Sequence, residues 1–202
     1  MKYLIYLHGF NSSPKSEKAQ LTIDYFQSYS SETLGQKIKI FVPALPSAPL
    51  DAISLVHHLI EQQGQENLLG FIGSSLGGFY SIYLQQYYSQ AGFIPKAILI
   101  NPAVRPYELL TDYLGENQNM YTGERYIIES SHMDDLKSLA IKPVVQHKYT
   151  MVLTQTDDEV LNYQEAVSYL AGATIWIQHG GSHAFDNYAS VLPCILSFCF
   201  KI

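Results

Sequence analysis

At 202 residues the chain has the length of one domain, and 47% apolar residues are enough to build a core. Charged residues make up only 15% while 16 Tyr and 9 Phe are present, which excludes the polar, aromatic-poor composition of a disordered chain. The formal net charge of -6 argues against a general nucleic-acid binder, and two cysteines are too few for a disulfide scaffold.

Along the chain, Lys2–Leu7 reads as a short buried strand, followed by the turn-rich His8-Gly9-Phe10-Asn11-Ser12-Ser13-Pro14. A helix is expected from Lys15 to about Tyr29, then a strand over Lys37–Val42 ended by Pro43. Asp51 is expected to cap a helix carrying Ile53, Val56, Leu59 and Ile60 at helical spacing. Asn67–Ile72 is a third strand, Leu76–Tyr88 a helix and Pro95–Ile100 a fourth strand stopped by Asn101-Pro102. Tyr149–Leu153, a helix over Val160–Leu170, a strand over Ala173–Ile177 and a last helix from Asn187 complete the order. Strands and helices alternate, and several strands are continuous apolar runs. The expected fold class is therefore α/β, a mainly parallel, doubly wound sheet with helices on both faces.

One stretch breaks the alternation. About 45 residues separate Ile100 from Tyr149, far more than the ~2–6 of an ordinary connection. Residues 103–148 are expected as an insertion, either a small lid over the carboxyl edge of the sheet or one or two further crossover helices. Cys194 and Cys199, five apart in a helix, would sit about 8 Å apart, beyond disulfide reach. The run Tyr3–Leu7 is too short for a signal peptide, and Val191–Phe200, broken by Pro193, is far short of the ~20 residues of a membrane span. A cytoplasmic protein without a membrane span is the expectation.

Gly73-Ser74-Ser75-Leu76-Gly77 matches G-x-S-x-G, with a strand leading in and a helix leading out. That context makes a nucleophile elbow, a strained turn that lifts a serine hydroxyl above the sheet, and Ser75 is the candidate nucleophile. At the start of a helix its hydroxyl meets free N–H groups and a positive dipole, both favourable to developing negative charge. A serine needs a base. His183 lies in Gly180-Gly181-Ser182-His183, directly after the last expected strand and so at the same sheet edge as Ser75. His57 and His58 fall mid-helix, and His132 and His147 fall in or near the insertion. Asp157 and Asp158 both follow the fifth strand; either could orient His183 while the other caps the helix from Val160. The oxyanion donors expected are the backbone N–H of Leu76, just after the nucleophile, and of Phe10, after the first strand. No metal-ligand spacing is present, so no metal site is expected, and the chemistry requires no cofactor.

The stretches Tyr6-Leu7-His8-Gly9-Phe10-Asn11-Ser12-Ser13-Pro14, Gly73-Ser74-Ser75-Leu76-Gly77-Gly78-Phe79-Tyr80, Asn101-Pro102-Ala103, Gln155-Thr156-Asp157-Asp158-Glu159-Val160-Leu161 and His183-Ala184-Phe185 resemble the YqiA-like esterases of the α/β-hydrolase superfamily. The resemblance covers essentially the whole chain. It implies an α/β-hydrolase fold, a Ser–His–Asp triad and action on carboxylic esters or acyl thioesters. Aligned on Glu159-Val160, the family's Gly-Asp-Glu-Val pattern implies Asp158 as the triad acid, with Asp157 where the family has Gly. The expected partner is a small acyl ester or thioester, with no nucleic acid. Competing readings are an acyl-CoA thioesterase using the same machinery and a non-catalytic binding or scaffold protein on a hydrolase fold.

Overall fold

The computed structural model describes residues 1–34, 37–89, 92–142 and 147–200. Strand β1 (Tyr3–Leu7), helix α1 (Glu17–Leu34), strand β2 (Lys39–Phe41) and helix α2 (Pro49–Gln63) open the chain. Strand β3 (Leu68–Ser74), helix α3 (Leu76–Ser89) and strand β4 (Lys96–Ile100) follow. The long stretch then forms helix α4 (Pro106–Leu109), the antiparallel hairpin of β5 (Gly115–Gln118) and β6 (Arg125–Ile128), and helix α5 (Ser130–Leu139). Strand β7 (Thr150–Gln155), helix α6 (Tyr163–Tyr169), strand β8 (Thr174–Gln178) and helix α7 (Leu192–Phe200) end the order.

The six expected strands form one parallel sheet in the order β2-β1-β3-β4-β7-β8. β1 has β2 on one side and β3 on the other, so the order reverses between β1 and β3. In open α/β sheets ligands bind beyond the carboxyl ends of the strands at such a reversal. The loops after β1 and β3, residues 8–12 and 75–78, flank this point.

Side chains alternate along β1 and feed two cores. Tyr3, Ile5 and Leu7 pack with Val56, Ile60 and Leu84 beneath α2 and α3, while Leu4 and Tyr6 pack with Phe26, Leu192 and Ile195 beneath α1 and α7. Burying each such side chain contributes roughly 1.5–3 kcal/mol. Both faces are covered by helices, which is why the strands read as continuous apolar runs rather than as alternation. Cys199 lies in the second core, where burial pushes its thiol up to about 12; both cysteines are free. No helix among the described residues is long and apolar enough to cross a membrane.

Three details differ from expectation. Asp51 caps nothing: α2 begins two residues earlier with Pro49 in its first turn, where a missing N–H is harmless and φ is already helical. The helix expected from Val160 begins only at Tyr163, capped by the Asn162 side chain, because the N–H groups of Val160 and Leu161 are taken by Asp158. The 103–148 stretch contains both a packed helix and an exposed hairpin. Met133, Leu136 and Leu139 of α5 join the α2/α3 core, whereas β5 is almost wholly exposed. Residues 143–146 of that stretch lie outside the described ones.

Candidate active site

Strand β3 ends at Ser74 and α3 begins at Leu76, leaving Ser75 alone at the turn with φ 54°. A non-glycine residue in that region costs on the order of 1–3 kcal/mol, so its surroundings must impose it. They do so through hydrogen bonds to both backbone groups: Ser75 N–H donates to Ile100 O at 3.0 Å, and Ser75 O accepts from Gly78 N–H at 2.9 Å, Ala103 N–H at 3.1 Å and Phe79 N–H at 3.4 Å. The flanking glycines are needed for close approach. A Cβ on Gly77 would stand 1.9 Å from Leu7 O, and one on Gly73 2.2 Å from Gly77 O. Neither neighbour is a flexible side chain, so the turn closes only with hydrogen at both positions.

His183 sits in the loop after β8, and its Nε2 lies 3.1 Å from Ser75 Oγ. Its Nδ1 lies 2.9 and 3.0 Å from the two oxygens of Asp158. A carboxylate only accepts, so Nδ1 carries the proton and the Nε2 lone pair faces the serine. The Asp158 side chain is 1% exposed and that of His183 24%. Besides His183, Asp158 Oδ1 accepts the N–H groups of Val160 at 2.9 Å and Leu161 at 2.8 Å. Asp158 thus faces His183 and closes its own turn, while the helix cap expected of the other aspartate is Asn162. Asp157 takes no part: its Oδ1 accepts from Thr156 Oγ1 at 2.9 Å.

A second layer of polar residues fixes these loops. Asn101, at the end of β4 with φ 39° and almost wholly buried, donates through Nδ2 to Ser182 O at 2.9 Å and His183 O at 3.3 Å. Its Oδ1 accepts Gln155 N–H at 3.0 Å. Buried Gln155 accepts the N–H groups of Ser182 and Asp186 and donates to Asp186 O. Glu159 Oε2 accepts His183 N–H at 2.9 Å, and Lys18 Nζ donates to Ala184 O at 2.7 Å. The reading of residue chemistry did not single out these four as functional. Their signal was faint: Asn directly after a strand and before Pro, where a side chain tolerant of left-handed backbone is wanted.

The loop after β1 forms the other wall. Gly9 packs against Ser75, a Cβ there lying 3.1 Å from that of the serine. His8 is buried and holds the loop: its Nε2 accepts Leu45 N–H at 3.2 Å, so Nδ1 carries the proton and donates to Gly9 O at 3.0 Å. Burial lowers the His8 pKa, keeping the ring neutral. Among the described residues no carbonyl or side chain accepts the N–H of Phe10 or Leu76. Cavities lie on both sides of this loop. One of about 190 Å³ is bounded by Phe10, Leu76, Tyr80 and Tyr126, and one of about 330 Å³ by Ser75 and His183 together with Tyr121 of the hairpin turn. The hairpin is tied to the loop by Asn119 Nδ2 donating to Ser12 O at 2.9 Å and Tyr126 OH donating to Asn11 Oδ1 at 3.1 Å. Phe10 meets Tyr126 and Tyr113 edge-on.

The sequence model of the uncharacterised protein family UPF0227 matches residues 3–200. Among solved structures, the chain is similar to Est1E from Butyrivibrio proteoclasticus with ferulic acid bound, at 13% identity and TM-score 0.72, covering 100% of this chain and 89% of that one. The esterase domain of a Rhodothermus marinus protein is similar at 15% identity and TM-score 0.68, covering 98% and 86%. Mouse alpha/beta hydrolase domain-containing protein 10 is similar at 15% identity and TM-score 0.68, covering 98% and 89%. The fold is that of the α/β-hydrolases, as the resemblance implied.

Proposed function

We propose that this chain, which belongs to the UPF0227 family, is a serine hydrolase that cleaves carboxylic esters, and by the same steps acyl thioesters, through an acyl-enzyme. The observation that carries the reading is the line from Asp158 through His183 to Ser75, with both ring nitrogens at hydrogen-bond distance from their partners. Ser75 Oγ attacks the acyl carbonyl as His183 Nε2 takes its proton, and Asp158 stabilises the imidazolium that forms. The N–H groups of Phe10 and Leu76 receive the oxyanion. One such donor typically contributes ~3 kcal/mol to lowering the barrier. Collapse of the tetrahedral intermediate releases the alcohol, which takes the proton from Nε2. Water, deprotonated by the same nitrogen, then frees the acid and restores Ser75.

Hydrolysis of p-nitrophenyl acetate and butyrate tests the reading. The wild-type protein should turn both over, with Ser75→Ala at the buffer rate. A wild-type protein inert towards esters and acyl-CoA alike would contradict it.

A further inference from the structure

Two cavities flank loop 8–12, and the chemistry proposed for Ser75 sends the two halves of an ester into different ones. Gly9 and Phe10 border both; Leu76 borders only the cavity of about 190 Å³, and Ser75 and His183 only that of about 330 Å³. The tetrahedral carbon on Ser75 would carry four groups: Oγ, the oxyanion, the leaving oxygen or sulfur, and the first carbon of the acyl chain. The N–H groups of Phe10 and Leu76 take the oxyanion. The leaving atom needs the proton on His183 Nε2, so the alcohol or thiol lies in the larger cavity, where Glu17, Lys18 and Glu159 also stand. The direction left for the acyl chain points away from His183, past Leu76 and into the smaller cavity.

That cavity suits an alkyl chain at the end next to Ser75. Tyr80 is 3% exposed and belongs to the α2/α3 core, and Phe10, Leu45, Leu76 and Tyr126 pack against that core. A chain laid there extends apolar packing already present. Farther out the wall is polar and open to water, with Ser47 and Glu124 both exposed. Length is bounded as well. A cavity of about 150 Å³ holds the six heavy atoms of a benzene; at that density about 190 Å³ holds roughly seven or eight. Octanoyl, with seven carbons beyond its carbonyl, is the longest straight acyl group that fits.

We infer that the cavity bounded by Leu45, Leu76, Tyr80 and Tyr126 is the acyl site, and that it selects esters and thioesters of medium-chain acids, with octanoate as the upper limit. The inference rests on the serine-hydrolase reading and names a substrate class for it. Leu45 is the residue through which to alter the volume: its N–H, not its side chain, holds His8 Nε2.

Two isomers locate the chain. Ethyl octanoate and octyl acetate contain the same atoms, with the long chain on the acyl side in one and on the alcohol side in the other. The wild-type protein should favour ethyl octanoate by at least about tenfold in kcat/KM, each buried methylene being worth up to about fourfold. Among p-nitrophenyl esters, kcat/KM should climb from acetate to octanoate and gain nothing further to dodecanoate. Leu45→Trp, which fills the cavity, should lower the octanoate-to-acetate ratio about tenfold, and the smaller Leu45→Phe should lower it less, cooperative thermal unfolding showing that each variant is folded. Octyl acetate turned over as well as its isomer, a climb that continues to dodecanoate, or an unmoved ratio in a folded variant would overturn the inference. With a fluorophosphonate adduct on wild-type Ser75, any of these results overturns it alone. No adduct and no hydrolysis of any of these esters overturns the hydrolase reading with it.

Discussion

At the carboxyl edge of the sheet, Ser75, Asp158 and His183 are held by buried polar groups and by glycines with no room to spare; across the cavity, the β5–β6 hairpin rests on loop 8–12 through two hydrogen bonds and the edge-on contact of Tyr126 with Phe10. The first region tolerates no side chain at Gly77. The second has a glycine, Gly123, whose added Cβ would meet only the end of the Gln118 side chain, at 3.9 Å. The contrast teaches where rigidity is needed. The proton transfer proposed between Ser75 and His183 depends on separations near 3 Å, whereas a surface over the cavity need only shape it.

The sharpest way to break the comparison is the same substitution in both places. Gly77→Ala should abolish the native fold, seen as loss of cooperative unfolding, because a backbone carbonyl cannot move away. Gly123→Ala, with φ 74° and open space, should cost only about 1 kcal/mol. Equal effects would dissolve the contrast. Next in size is Asp158→Asn, expected to lower kcat about 10⁴-fold with little change in fold, since an amide no longer holds the imidazole in its tautomer. Asp157→Asn should leave kcat within about twofold.

A smaller effect separates the two asparagines. Asn101→Ala leaves Ser182 O and Gln155 N–H unpaired in the interior and should cost about 2–4 kcal/mol by denaturant unfolding. Asn119→Ala removes a half-buried hairpin contact at the surface and should cost about 1 kcal/mol. The smallest expected effect is on pH dependence. The folded His8 pKa is lowered by burial, so the native state disfavours protonation there. That contribution to stability is fully present above the ordinary histidine pKa near 6.5 and declines as pH falls through the lowered folded value. His8→Asn should therefore show a shallower loss of stability on acidification, measured as the urea midpoint against pH. An unchanged slope would remove His8 from the account.

The sheet was legible because both of its faces are buried: parallel strands under helices become uninterrupted apolar runs such as Tyr3–Leu7 and residues 97–100. Ser75 was legible because its turn leaves a spacing of glycines. His183 and the acidic loop followed from their place after strands. The division of labour between Asp157 and Asp158 was not readable from residue chemistry, since one carboxylate with two oxygens can orient a histidine and close its own turn at once; the family resemblance alone pointed to Asp158. Asn101 and Gln155 left little trace, because a polar residue at a strand end is ordinary until its partners, from distant parts of the chain, are known. The hairpin escaped notice for the opposite reason: β5, Gly-Glu-Asn-Gln, is exposed and carries no apolar alternation.

The central claim is that Ser75 is an activated nucleophile, and covalent labelling by a fluorophosphonate addresses it most directly. Mass spectrometry of the labelled wild-type protein should find the adduct on Ser75, with none on Ser75→Ala and slower labelling of Asp158→Asn. A folded wild-type protein that takes up no label, or that is labelled equally in Ser75→Ala, would contradict the account.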